Sequence, residues 1–279
     1  MIGENDLAFY KKKANWVRNR CFDMCIAGGG HLVSSFSCID ILVALYYGHQ
    51  FKKLNADSRK LPDRDRFVLS KGHAASALYP ILADLGYFKI EELGKYGTAE
   101  SVLGSHPDTQ INGIEATTGS LGHGLAIAAG MALSGKYDSL QFFSIALLGD
   151  GECSEGSVWE TALFAKKRAL NNLVAIIDYN KLCVTDFIED CIGLDSLQEK
   201  WESFGWDVIT IDGHNFEDIF NAFNYVHDHQ IHKPIAIIAH TIKGKGISFM
   251  ENNPSWHARM PSGEQIEKAR KELLWSENG

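Results

Sequence analysis

Two polar clusters carry the clearest chemistry. The apolar run 141–148 leads into Gly149-Asp150-Gly151, and the run 173–177 leads into Asp178-Tyr179-Asn180. Asp150 and Asn180 each offer a hard oxygen. With one backbone carbonyl they would make half a shell for magnesium, which takes about six oxygens and leaves several to water and phosphate. Gly151 has no side chain, so a diphosphate can come close to the backbone there. A helix opening near Gly156 would add free N–H groups and a positive dipole end. The blander reading is that Asp150 and Asn180 only cap loops.

Other polar residues point less sharply. His123 lies in the glycine segment 119–124, where contact with a cofactor and ordinary exposure are both open. His227-Asp228-His229 with His232 could suggest a metal cluster, but the run sits at a predicted helix end and reads as a solvated terminus. Lys11-Lys12-Lys13 reads as a solvated face. Cys153 lies inside the G-D-G loop and is the cysteine best placed for a role, although nothing marks it as a nucleophile. The G-x-x-x-x-G-K-[ST] spacing is absent from 243–248, and 119–124 is not G-x-G-x-x-G. Nicotinamide dinucleotide and phosphate-loop chemistry therefore have little support.

The elements that must position these residues follow from periodicity. Leu7, Tyr10, Ala14, Val17, Cys21 and Met24 recur at helical spacing and predict a helix over the first 25 residues, closed by Gly28-Gly29-Gly30. A second helix is expected after Ser37, with Asp40 three residues on as a capping-box pair, ending at Gly48. Apolar runs at 66–70, 141–148, 173–177, 208–211 and 234–239 predict strands buried on both faces. Helical patterns at about 121–135, 156–169, 195–204 and 215–229 separate the later ones. That rhythm predicts an α/β fold, a mostly parallel sheet with helices on both faces. Nearly every strand ends in a polar or glycine-rich cluster, and open parallel sheets bind ligands beyond their carboxyl ends.

Composition is that of an ordinary globular protein. The chain has 279 residues, 45% of them hydrophobic, and a formal charge of −8. A chain of this length buries roughly 75% of its unfolded surface and needs no disulfide staple. The acidic balance argues against a nucleic-acid coat or an anionic-membrane binder. No C-x-x-C pair, leader-like segment or long apolar stretch occurs, so a cytoplasmic protein with reduced thiols and a single domain over 1–279 is expected.

The segment LLGDGECSEGSVWETALFAKKRALNNLVAIIDYNKLCVTD closely resembles the diphosphate-binding domain of transketolase. AGGGHLVSSFSCIDIL, DRFVLSKGHAASALY, GSHPD, TTGSLGHGLAIAAGMAL and TIKGKGISFMENNPSWH follow in that family's order, over roughly residues 5–275. The resemblance implies a three-layer thiamine diphosphate-binding fold. It implies that Asp150, Asn180 and the carbonyl of Leu182 bind Mg2+, for which Ca2+ or Mn2+ can substitute. His73, Gly151 and His257 would approach the diphosphate, and Gly119, Leu121 and Gly122 would lie along the cofactor. Glu155 matches a glutamate that links the cofactor sites of two subunits. His31, His106 and His257 match histidines along the donor-sugar channel, where imidazoles can exchange hydroxyl protons.

Complete transketolases are more than twice this length and add a pyrimidine-binding and a C-terminal domain. The resemblance therefore implies the N-terminal subunit of a split transketolase, working with a separate C-terminal subunit in an α2β2 assembly on sugar or sugar-phosphate substrates, with no nucleic-acid or membrane partner. The alternatives are another thiamine diphosphate enzyme, of the 2-oxo acid dehydrogenase α or deoxyxylulose phosphate synthase type, or a non-catalytic regulatory paralogue. His31, Gly72-His73 and Ser105-His106-Pro107 favour transketolase. Two departures bear on the donor: the usual S-G-H-P-G-G-S loop reads GGHLVSS here, and Ala258-Arg259 follow His257 where glycine is common.

Overall fold

The computed structural model describes residues 3–48, 50–51, 54–184, 186–191, 193, 196–228 and 232–275. Five parallel strands form the central sheet: β1 (Arg66–Leu69), β2 (Ser144–Gly149), β3 (Leu173–Tyr179), β6 (Asp207–Asp212) and β7 (Ile235–His240). Their order is β1-β2-β3-β7-β6. Between β3 and β6 lies a small antiparallel pair, β4 (Leu182–Cys183) and β5 (Asp186–Phe187).

Alternation along the strands divides the core. Phe67, Leu69, Ile145, Leu147, Val174, Ile176, Ile235 and Ile237 face one side, and Val68, Ala146, Leu148, Ala175, Ile177, Ala236 and Ile238 the other. Helices α1 (Glu4–Gly28), α2 (Leu32–Phe36), α3 (Ile39–Tyr47), α4 (Ala75–Asp84) and α9 (Phe216–Val226) share the first core. Helices α5 (Gly124–Tyr137), α6 (Gly156–Lys167) and α8 (Leu197–Ser203) share the second. The expected α/β fold is thus observed, with β2, β3 and β7 covered on both faces; β6 is half exposed because it forms an edge. Two further helices are α7 (Ile188–Cys191) and α10 (Glu264–Trp275).

Tyr10, Ala14, Val17, Cys21 and Met24 are all buried along α1, as their spacing requires. The helix runs to Gly28 because Gly29 adopts a φ of +79° and Gly30 one of +119°, conformations that cost glycine little. The N–H of Gly29 closes the end on the carbonyl of Cys25 at 2.8 Å.

The capping box before α3 does not form. The Ser37 hydroxyl donates to the carbonyl of Ser34 and to Asp178, while Asp40 accepts from Arg18 at 2.5 Å and pairs with Nδ1 of His214 at 2.7 Å. Long-range partners drew both side chains away from the helix end. Nε2 of His214 accepts the N–H of Ile242 at 2.8 Å, so the ring proton sits on Nδ1 and is donated to Asp40. The polar cluster after β6 is therefore a latch between elements. His227 also departs from expectation: its ring packs on Phe51 and Phe143. His229 lies outside the described residues.

Candidate active site

The site spans the carboxyl ends of four adjacent strands. His73 follows β1 in a tight turn, Asp150 and Gly151 follow β2, Asn180 follows β3, and Lys243 lies beyond β7. His31 enters from the Gly29-Gly30 loop, His106 from the long segment before α5, and His257 from the turn anchored by the buried Trp256.

The structure brings the four histidines together. The ring of His31 lies 5.3 Å from His73, 6.1 Å from His106 and 5.5 Å from His257, centroid to centroid. Tyr79 Oη donates to the carbonyl of His106 at 2.9 Å and holds its backbone. Nδ1 of His31, Nδ1 of His257 and Oγ of Ser34 are buried without a hydrogen-bond partner among the described residues. Buried polar atoms are nearly always paired, so three orphans around one site fit a polar ligand.

Burial lowers the His257 imidazole to about 4 from an ordinary 6.5, and Lys243, His31 and Lys71 push the same way. Burial, then His106, Lys243 and Lys71, lowers His31; burial, then Lys71, holds His73 well below its ordinary value. These rings are neutral at pH 7. Between about 6.5 and about 4 the unfolded chain takes up a proton at position 257 that the folded chain refuses. The ligand-free protein should therefore lose stability as pH falls through that window, and His257→Gln should flatten the loss. Urea midpoints at neutral and mildly acidic pH measure it; an equally steep loss in the variant would refute the assignment.

The oxygen donors sit beside the histidines. Asp150 is 2% exposed and accepts the N–H groups of Gly151 at 2.8 Å and Lys181 at 2.5 Å. Burial, with Asp178 adding, raises its carboxyl to about 6. Oδ1 of Asn180 accepts the N–H of Leu182 at 3.2 Å, and the carbonyl of Leu182 accepts from Nζ of Lys243 at 3.3 Å. Among the described residues no group of three or more His, Cys, Asp or Glu side chains could hold a metal. One carboxylate, one carboxamide and one carbonyl suit a hard cation that draws its remaining ligands from water and phosphate, and do not suit zinc.

Glycines let this loop pack tightly against the site residues. A Cβ on Gly119 would come within 3.1 Å of the His106 ring. A Cβ on Gly122, which has a φ of +82°, would stand 2.4 Å from Oγ of Ser157 and 2.6 Å from Cβ of Glu155. Glu155 is exposed at the start of α6, Leu121 is half-buried, and His123 is exposed with Nδ1 3.1 Å from the carbonyl of Leu121. Gly122 is held by its N–H, which donates to the buried Glu152 at 2.9 Å.

Several site residues escaped the sequence reading. Lys71 and Asp178 form a fully buried ion pair beneath the rim; Asp178 also accepts from Ser37 and Thr241, and Lys71 donates to the carbonyl of Ser34 at 3.0 Å. Burial opposes both charges, yet the pairing wins, raising Lys71 and lowering Asp178. Burial and Lys71 lower Lys243 to about 8. The available signal was a lysine beside glycine just past a strand, in S-K-G-H and K-G-K-G. Leu32 and Val33, bulky replacements in the first loop, are each 1% exposed and pack in the core. Cys153 is fully buried, and its Sγ donates weakly to the carbonyl of Gly149.

The family model described as transketolase, thiamine diphosphate binding domain, matches residues 10–278. The chain belongs to the transketolase family. It is 41% identical over 247 residues to an apulose-4-phosphate transketolase subunit of Phocaeicola vulgatus, covering 88% of this chain and 87% of that one. It is 42% identical over 243 residues to a 6-deoxy-6-sulfo-D-fructose transketolase subunit of a Clostridium species, covering 87% of each. The crystal structure of transketolase from Campylobacter jejuni superposes with a TM-score of 0.86 at 29% identity, over 95% of this chain and 42% of that one. The thiamine diphosphate-binding domain of a transketolase is thus present, and no described helix is long and apolar enough to cross a membrane.

Proposed function

We propose that this chain is the diphosphate-binding subunit of a two-chain transketolase that moves a two-carbon ketol unit from a ketose or ketose phosphate to an aldose. The observation that carries the reading is the convergence of Asp150, Asn180 and the carbonyl of Leu182 with four histidines on one sheet rim. Asp150, Asn180 and Leu182 would hold Mg2+, and His73, His257, Gly151 and Lys243 would face the diphosphate. Gly119, Leu121 and Gly122 would lie along the rest of the cofactor. When bound, thiamine diphosphate supplies the electron sink for carbon–carbon bond exchange.

The chain's own residues then act on the sugar. His31, His106 and His257 line the donor channel. Imidazoles can accept a hydroxyl proton from the donor and return it to the acceptor product. The ammonium of Lys71 is held by Asp178, and the buried Lys243 at the rim would meet an anionic ligand directly. Support for the partner comes from relatives named as transketolase subunits that this chain matches over most of their length. The partner would carry the pyrimidine-binding domain. Ile127 on α5 and Leu163 and Phe164 on α6 are exposed apolar side chains, which supports self-association within an α2β2 assembly, with Glu155 near that face. Described cysteines are all free thiols, in keeping with the cytoplasm.

Purification with and without a co-expressed partner tests the reading. Ketol transfer in a donor–acceptor screen should require both chains, thiamine diphosphate and magnesium. Robust turnover by this chain alone would sink it.

A further inference from the structure

Glu152 is a carboxylate of 2% exposure, two residues past Asp150. The short helical turn Gly151–Ser154 brings it back onto the end of β2. Its Oε1 accepts the Ser70 hydroxyl and the N–H of Gly122, the latter at 2.9 Å. Its Oε2 accepts the N–H of Gly149 at 3.2 Å. One side chain thus joins three segments: the turn after β1 that carries His73, the glycine segment 119–124, and the end of β2 that carries Asp150 and Gly151. Burial raises this carboxyl, and hydrogen bonds from Ser70, Gly122 and Gly149 oppose the rise.

The glycine segment is held at several points. Gly122 gives its N–H to Glu152, and its carbonyl accepts Oγ of Ser157 at 2.9 Å. Its φ of +82° turns the chain so that both groups can be met, a conformation that suits glycine. Oγ1 of Thr118 donates to the carbonyl of Leu69 at 2.6 Å. A Cβ on Gly124 would stand 2.4 Å from Oγ of Ser70, so this end of the segment lies directly on the turn after β1. Thr118 and Gly124 fasten the segment to β1, and Ser157 fastens it to α6. Glu152 fastens it to the ends of both β1 and β2.

We propose that Glu152 is a positioning residue for the cofactor: it fixes the glycine segment 119–124 against the Gly149-Asp150-Gly151 turn. The functional reading above places thiamine diphosphate between those two walls, and the proposal rests on that reading. The arrangement explains why the residue is a carboxylate. Each of its oxygens takes one backbone N–H. A carboxamide has one oxygen and one NH2, and an N–H that faces the NH2 loses its acceptor. The Ser70 hydroxyl can turn to accept from an NH2, but a backbone N–H cannot. In Glu152→Gln the amide nitrogen therefore faces Ser70, and the Gly122 N–H is the group left unpaired.

The test uses the assembled two-chain protein. In the cofactor-free complex, amide hydrogen exchange over 119–124 should be about tenfold or more faster in Glu152→Gln than in wild type. Calorimetric titration with thiamine diphosphate in excess magnesium should show a Kd raised by about tenfold or more. A Glu152 that only supported the fold would lower the urea midpoint and leave the Kd of the folded complex unchanged. Glu152→Asp keeps the charge and both oxygens but is one methylene shorter, so it should shift exchange and Kd in the same direction; it decides the matter if Glu152→Gln does not fold. A folded variant with wild-type Kd, or with wild-type exchange over 119–124, would overturn the proposal. A wild-type complex that binds no thiamine diphosphate would overturn the functional reading and the positioning role with it.

Discussion

Asp150→Asn in the assembled enzyme should lose about three orders of magnitude in kcat/KM, the scale of the several kcal/mol that a catalytic metal supplies. The carboxylate is the one charged side chain in the oxygen set, buried at the end of β2 beside Gly151. A carboxamide keeps the shape and one acceptor oxygen but removes the charge that a dication needs. The same substitution should cost little folding stability, because burial and Asp178 already raise the Asp150 carboxyl to about 6. Removing the acceptor altogether is a different experiment. In Asp150→Ala the N–H groups of Gly151 and Lys181 both lose a partner, and roughly 1–3 kcal/mol of stability should go for each that stays dry. Measuring metal-dependent cofactor retention alongside urea unfolding separates the two effects. Full magnesium-dependent activity in Asp150→Asn would show that the metal assignment is wrong.

The second large effect lies under the site. Asp178→Ala should destabilise the fold by about 3–5 kcal/mol, since it strands the Lys71 ammonium in a fully buried position. The cost is not the worth of the pair. Taking both charges out of water was itself unfavourable, and the attraction between them only offsets it. Lys71→Met combined with Asp178→Leu should therefore cost clearly less than the two single changes added together, because no charge is left unpaired. Urea midpoints at constant slope measure this. Additive losses would mean that the ammonium and carboxylate do not depend on each other. The carbonyl of Ser34, the Ser37 hydroxyl and Thr241 also converge on this pair, so it ties α2 and the segment after β7 to the end of β3.

Parts of the fold were legible because they depend on local spacing. The α1 side chains at three- and four-residue intervals had one face to bury, and that face is buried. The continuous runs of β2, β3 and β7, short and each ending in a polar or glycine-rich cluster, suited strands covered on both sides, and they are so covered. Helix ends and the edge position of β6 were harder to read, since nothing within a run says how many neighbours its strand has. The rim rule placed Asp150, Gly151, Asn180 and His73 at one end of the sheet from strand direction alone. It read Asp212-Gly213-His214 the same way, and there the residues fasten Asp40 and the segment after β7.

What the sequence by itself determined is the α/β class, the rim on which chemistry would gather, and, through the order of its motifs, the transketolase family. These depend on residues close in the chain, where period and turn chemistry act without reference to the rest of the molecule. Tertiary structure alone decided the partners. Lys71 meets Asp178 across 107 residues and His214 meets Asp40 across 174, and no local pattern distinguishes those side chains from solvated ones. It turned Leu32 and Val33 into the core and set Cys183 above Gly151. A buried charge or an orphaned hydroxyl exists only when distant segments close around it and exclude water, so its role becomes visible only once the chain has folded.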